Sequence, residues 1–198
     1  MPITPATGSL LVAKPSLLDP SFRRAVVLLL AHGDDGSLGV ILNRPSESAV
    51  QEIFPQWQGA VAKPRVMYEG GPVERNSAMC VGVRRSGTAG IGGEVDALLD
   101  PVGPPFARVS GELVLVDLDA TPDKVMAELR SARVFAGHAG WGAGQLATEI
   151  DEGSWHVVDS QGEDVMAGPR VDLWFRVLRR QPRPLAMEAY RPLDATLN

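Results

Sequence analysis

The run Ala25-Val26-Val27-Leu28-Leu29-Leu30-Ala31, the turn residues Asp34-Asp35-Gly36 and the return Leu38-Gly39-Val40-Ile41-Leu42 decide the reading of this chain. An aliphatic stretch with no helical spacing describes a strand buried on both faces. At seven residues it is far too short to span a bilayer. Asp and Gly supply turn chemistry, so the two runs form a β-hairpin, here expected with a longer loop.

Working outward, Ser9 to Ala13 is a short apolar strand stopped by Lys14-Pro15. Pro45 ends the hairpin's second strand, and Ser48 with Gln51 has capping-box spacing for a short helix through Trp57. Val66–Tyr68 and Ala78–Val83 read as strands flanking the turn Gly70-Gly71-Pro72. Residues 86–105, rich in Gly and Pro, read as a surface loop, and Glu112–Leu118 as a further strand. Thr121-Pro122 pairs a cap with a proline at the first helical position, and Val125, Met126 and Leu129 form the apolar stripe behind it. Arg133–Ala136 is a short strand entering a glycine-dense loop, Gly137 to Gly144. A helix carrying Leu146 and Ile150 follows, then the strand Trp155–Val158. A last helix from Val171 buries Val171, Trp174, Phe175 and Leu178.

Strands and helices interleave with no linker between them. The expectation is therefore one α/β domain over residues 1–198, with short helices interleaved among the strands. The expected core is Val26, Leu28, Leu30, Val40, Leu42, Val114, Val116, Trp174 and Leu178.

Composition narrows the function. Hydrophobic residues make up 44% of the chain and charged residues 22%, enough for a core. Residues 1–169 hold 13 Lys/Arg against 21 Asp/Glu, an acidic body that repels phosphate backbones and argues against direct DNA binding. The exception is a C-terminal group, Arg170, Arg176, Arg179, Arg180 and Arg183, which reads as a solvated helix face. One cysteine, Cys80, excludes an internal disulfide and fits a reducing compartment. The N-terminus has neither the charged nor the apolar region of a signal peptide, so the expected location is cytoplasmic and free of the membrane.

No phosphate-binding loop, zinc motif or nucleophile elbow occurs, and no nucleophile–base pair is read along the chain. Asp117, Asp119 and Asp123 have the alternation of calcium ligands, but Pro122 stands where the loop needs its glycine. Cys80, in an apolar strand, reads as a small buried hydrophobe. Gly142-Ala143-Gly144-Gln145-Leu146-Ala147 matches a relaxed dinucleotide fingerprint, with Asp159 after the next strand, yet the helix behind it is short. The glycines read better as close-packing and turn positions. His156 reads as structural, while His32 and His138 fall at strand ends beside glycines. No metal and no cofactor is expected.

Three blocks now align. The first runs from Gly8-Ser9-Leu10-Leu11-Val12-Ala13 through Phe22, Val26-Val27, His32, Gly36 and Gly39 to Asn43-Arg44-Pro45. The second is Gly70-Gly71-Pro72-Val73, and the third is Phe135 to Trp141 with Gly144-Gln145-Leu146, Glu149-Ile150 and Trp155. In this order and spacing the chain resembles the YqgE/AlgH family of bacterial proteins over nearly its whole length. The resemblance implies a compact, mixed α/β domain whose sheet is mixed, largely antiparallel and partly barrel-like, flanked by short helices. It brings no biochemical activity, although some members are named as transcriptional regulators. Ser77-Ala78-Met79-Cys80 stands where relatives commonly carry a leucine–histidine pair.

The expected function is that of a non-catalytic protein that binds a protein or small-molecule partner and acts in regulation. The alternative is an enzyme with its site in the glycine-rich loops. Three glycine-bearing segments follow strands, and loops at strand ends gather functional residues. The binding residues expected are Asn43, Glu69, Gly70, Gly71, His138, Gly140, Trp141 and Gln145, with no catalytic residue assigned. Asn43, Glu69, His138 and Trp141 are expected to line one concavity. Backbone N–H groups at the following helix start are expected to offer an anion site there.

Overall fold

The computed structural model describes residues 4–85 and 105–191. In chain order the strands are β1 Ser9–Ala13, β2 Val26–Gly33, β3 Gly36–Ile41, β4 Pro45–Ala49, β5 Val66–Glu69, β6 Val73–Arg84, β7 Phe106–Ser110, β8 Leu113–Val116, β9 Leu129–Gly142 and β10 Trp155–Asp159. The α-helices are α1 Val50–Ile53, α2 Pro122–Met126, α3 Gln145–Asp151, α4 Gly162–Val165 and α5 Leu173–Arg179, with 3₁₀ turns at Pro55–Trp57 and Leu185–Tyr190. The strands form one sheet in the order β10-β1-β2-β3-β9-β6-β8-β7, with β5 on β9 and β4 on β5. All pairs are antiparallel except β5 with β9. The result is the expected mixed α/β domain with a curled, half-barrel sheet and a few short helices.

β1 and β2 show why their sequences are continuously apolar. Leu10, Val12, Val26 and Leu28 face a core shared with Trp174 and Leu178 of α5. Leu11, Ala13, Val27 and Leu29 face a second core with Trp141, Leu146 and Trp155. Both faces are covered, so no polar alternation survives. A third cluster packs Trp57, Val125 and Val134 against Val114 and Val116. All nine expected core residues are buried. Each buried indole finds an acceptor: Trp174 Nε1 donates to the Ala13 carbonyl, Trp57 Nε1 to the Leu118 carbonyl, and Trp141 and Trp155 both to Glu149.

Several local expectations are corrected. The β2–β3 hairpin turns tightly, Gly33 pairing Gly36 with only Asp34 and Asp35 between them; a bulge near Leu30 absorbs the mismatch. Pro45 starts β4 rather than merely closing β3. Ser48 therefore lies on a strand and Ala49 stands at the α1 N-cap without a side-chain bond. A capping box does occur, at Gln161 and Asp164 on α4. Leu129 opens β9 instead of continuing α2, and β7 was not foreseen. In α5, Asp172 accepts from the Phe175 N–H and starts the helix later than expected. Leu173, Trp174, Val177 and Leu178 then form its buried face, and Val171 is exposed. The expected loop at 86–105 lies outside the described residues apart from Pro105.

The largest correction concerns Gly137–Gly144. Most of it is strand: β9 runs unbroken for 14 residues through Gly137 and Gly140 to Gly142. Glycine is poor in strands on its own account, but this one has partners along both edges. β5 and then β3 pair on one side, β6 on the other.

Candidate functional site

β5 and β6 flank β9 on opposite edges: Ala136 pairs with Glu69 in parallel and with Ala78 in antiparallel. The segment Gly70-Gly71-Pro72 must therefore pass across the β9 backbone to reach the far edge. A Cβ on Gly71 would lie 2.2 Å from the His138 carbonyl carbon and oxygen, and one on Gly70 would lie 2.2 Å from the Gly137 oxygen. Gly137 has φ +69°, and its Cβ would meet the Gly71 oxygen at 2.7 Å. Only glycine permits that approach. The crossing is fastened by Gly70 N–H to the Ala136 carbonyl and Ile41 N–H to the Gly70 carbonyl, both 2.8 Å.

Beyond the crossing, Val73 pairs with His138 and the next pair is Ala78 with Ala136, so Glu74 to Ser77 have no ladder partners on β9 and bulge outward. Glu74 adopts a left-handed φ of +46°, and the Ser77 hydroxyl donates to its carbonyl at 2.9 Å, closing the bulge. The bulge forms one wall of a cleft of about 440 Å³. Ser46 and Ser48 of β4, with Ile53 and Phe54, form the opposite wall; Met67 and Ala136 lie between. The Ser46 hydroxyl donates to the Met67 carbonyl and so fixes β4 over β5. Glu69, Gly71 and Arg75 are shared with an adjoining pocket of about 220 Å³ that contains Arg44, Pro20 and Ser21. The half-buried Arg44 guanidinium donates to the Arg23 carbonyl. Burial draws its pKa below the usual arginine value, and the nearby Glu69 carboxylate offsets part of that.

Of the eight expected residues, Glu69 and Gly71 line this double cleft, and Gly70 sits in the crossing beneath it. The four side chains expected in one concavity do not converge. Asn43 is occupied by backbone: its carbonyl accepts from Val26 N–H at 3.0 Å and its amide donates to the Arg24 carbonyl at 2.8 Å. Trp141 is buried with Phe22 and Trp155 in the second core. His138 lies buried at the crossing and lines neither part of the cleft. Gly140 pairs with Leu38. Gln145 accepts from Gly142 N–H and donates to Glu149, so its side chain closes the strand-to-helix turn. With α3 only seven residues long, neither the fingerprint nor the anion site at its start has a helix to support it.

Arg44, Arg75, Ser46, Ser48 and Phe54 were missed by sequence reasoning. Arg75 sits on the bulge, Ser46 and Ser48 on β4, Arg44 just before β4 and Phe54 at the end of α1, positions that no periodicity announces. The nearest signal was the Glu69-Gly70-Gly71-Pro72 turn, which places charge beside a chain crossing.

A second cleft, of about 510 Å³, lies between the β2–β3 hairpin and the start of α3. It contains an unforeseen nucleophile–base pair, His32 Nδ1 at 2.7 Å from Ser37 Oγ. The two residues are i and i+5 across the tight turn and face each other in register. Among the described residues no carboxylate bonds the His32 ring, so nothing orients it as a third member would.

The remaining candidates have structural roles. Cys80 is buried, and desolvation pushes its thiol up to about 12, which removes it as a nucleophile. Arg176 and Arg180 of the C-terminal group hold the fully buried Asp164 carboxylate at 3.2 and 2.7 Å. No group of three or more His, Cys, Asp or Glu side chains among the described residues could hold a metal ion. No helix among them is long and apolar enough to cross a membrane.

This architecture is shared. The AlgH-like family profile matches residues 10–186. The chain belongs to the AlgH-like family. This AlgH-like chain is 47% identical over 192 residues to a UPF0301 protein of Mycobacterium tuberculosis strain H37Rv, covering 96% of the chain and 90% of that relative. A UPF0301 protein of Rhodococcus erythropolis is also 47% identical, over 191 residues. The crystal structure of DIP2367 from Corynebacterium diphtheriae superposes with a TM-score of 0.87 at 38% identity, covering 96% of this chain and 94% of that one. The solution structure of AlgH from Pseudomonas aeruginosa shares the fold, with a TM-score of 0.64 at 21% identity over 97% and 98% of the two chains.

Proposed function

We propose that this AlgH-like chain is a cytoplasmic, non-catalytic protein that binds a small-molecule partner and acts in regulation, with the double cleft at Glu69 as its binding site. One observation carries this reading: the bulged segment Glu74–Ser77, left-handed at Glu74, presents Arg75 and Asn76 to a cleft walled by Ser48, Ile53 and Phe54. Strained backbone supported by surrounding structure gathers at ligand sites. The volume, about 440 Å³, falls within the roughly 300–1,000 Å³ of small-molecule pockets. In this proposal Glu69 and Gly71 touch the ligand, while Gly70 and His138 hold the crossing. Asn43, Gly140, Trp141 and Gln145 stabilise neighbouring strands. The test is a metabolite library screened by thermal shift on the wild type and on Ser48→Trp, which fills the cleft from an exposed position. Hits that vanish in Ser48→Trp support the reading; hits that all persist place the site elsewhere.

The His32–Ser37 pair favours a second reading, an enzyme with its site among Gly33, Gly36, Gly142 and Gly144. A fluorophosphonate probe that labels Ser37 would establish it, and absence of labelling at millimolar probe would remove it.

A further inference from the structure

The two parts of the Glu69 cleft differ in chemistry. The smaller pocket brings together Arg44, Arg75 and Glu69. Among the described residues none of these three takes part in an ion pair. Only Arg44 has a side-chain hydrogen bond, and that is to a backbone carbonyl. The larger part adds Phe54, Met67, Ala78 and Ala136 beside the serines already named, with Ile53 left 53% exposed. The two parts share Glu69, Gly71 and Arg75 in their linings and are continuous through them.

This arrangement selects a charge pattern. A simple anion is drawn to the two guanidiniums and repelled by Glu69; a simple cation meets the opposite conflict. A molecule carrying a carboxylate and an ammonium on one carbon meets all three groups with matched charge. An apolar substituent on the same carbon then enters the larger chamber, where burial of carbon surface adds affinity.

We propose that the cleft binds a free α-amino acid with a large apolar side chain. The carboxylate sits at Arg44 and Arg75, the ammonium at Glu69, and the side chain runs along Phe54 and Met67. A peptide N-terminus lacks the adjacent carboxylate and leaves the guanidiniums unmatched, so the site takes the free amino acid. This assignment rests on the cleft being the binding site and adds the ligand class.

Calorimetric titration with L-phenylalanine, L-leucine and L-methionine tests it on the full chain. The comparison probes are 3-phenylpropanoate, which lacks the ammonium, phenethylamine, which lacks the carboxylate, and L-serine, which lacks the apolar group. At least one of the three apolar amino acids should bind, and each comparison probe should bind at least tenfold more weakly. Glu69→Gln should erase the preference for phenylalanine over 3-phenylpropanoate, and Arg75→Gln, which leaves Arg44 in place, should reduce the preference over phenethylamine. Both positions are exposed, and circular dichroism confirms that the variants fold. Equal binding of 3-phenylpropanoate overturns the Glu69 assignment. Failure of all three amino acids, while other hits respond to Ser48→Trp, overturns the ligand class and leaves the cleft standing. Hits indifferent to Ser48→Trp overturn the cleft itself.

Discussion

Gly71→Ala isolates the energetic cost of the chain crossing. The new methyl would stand 2.2 Å from the His138 carbonyl carbon and oxygen and 2.4 Å from the Ala139 nitrogen, all backbone atoms that no rotamer change can move. To reach an ordinary contact of about 3.5 Å the turn must lift by roughly 1 Å. That lift stretches the two 2.8 Å bonds, Gly70 N–H to Ala136 and Ile41 N–H to Gly70. Each is worth about 1 kcal/mol net, and up to ~3 kcal/mol when its groups are left buried and unpaired. The expected loss is about 3–5 kcal/mol, large for a single methyl. Gly144→Ala is the control: φ there is +73°, but nothing lies within 4 Å, so only the left-handed strain of about 1–2 kcal/mol applies. Urea denaturation followed by tryptophan fluorescence gives both midpoints. If Gly71→Ala costs no more than Gly144→Ala, the crossing is not the tight contact argued for it.

Leu28→Ala removes a fully buried side chain and should cost about 2–5 kcal/mol; an unchanged denaturation midpoint would refute its place in the core. Asp164→Ala strips Arg176 and Arg180 of their buried carboxylate and should cost about 3–5 kcal/mol, with thermal unfolding as the readout. His156 is held near pKa 4 by burial first, then by Lys14 and Arg191, against 6.5 when unfolded. Its neutral form is favoured by the fold, so that stability is complete above pH 6.5 and declines as pH falls toward 4. Discounted for partial exposure, the loss is about 1–2 kcal/mol, and His156→Gln should flatten this slope in pH-dependent denaturation. Duplex DNA titrated at near-physiological salt should form no specific complex, since an acidic body repels phosphate; tight sequence-selective binding would contradict this.

The hairpin and its core were legible because burial on both faces writes itself as an unbroken apolar run. β1 is bounded in the sequence by Lys14-Pro15, and α2 by the proline of Thr121-Pro122, with Thr121 at the N-cap position but making no side-chain cap bond. Gly137 to Gly142 was misread for the opposite reason. Glycine signals a loop when local preference decides, but here pairing along both strand edges decides, and Gly137 marks where another backbone passes over. β7, in the alternation Phe106-Ala107-Arg108-Val109-Ser110, was too short to separate from the Gly- and Pro-rich stretch before it. Within the cleft, Glu69 and Gly71 were found because they adjoin a recognisable turn. Arg75 was not, since a bulge is defined by the register of two distant strands and leaves no periodic trace.

Glycines at 70, 71 and 137 thus have a structural cause that does not compete with a functional one. After the crossing, four residues of β6, Glu74 to Ser77, stand opposite the single Gly137 of β9, and the surplus emerges as the bulge. Residues in that bulge are released from pairing but remain tied at both ends, at Val73 and at Ala78, so Arg75 is exposed while its backbone position is fixed. Glu69 is fixed likewise by Ala136 on the near side of the crossing. A carboxylate and a guanidinium are therefore held on the two sides of the crossing, lining the same pocket. Stability and binding should separate accordingly: Gly71→Ala should weaken both, while Arg75→Gln should weaken binding and leave the denaturation midpoint unchanged within about 0.5 kcal/mol.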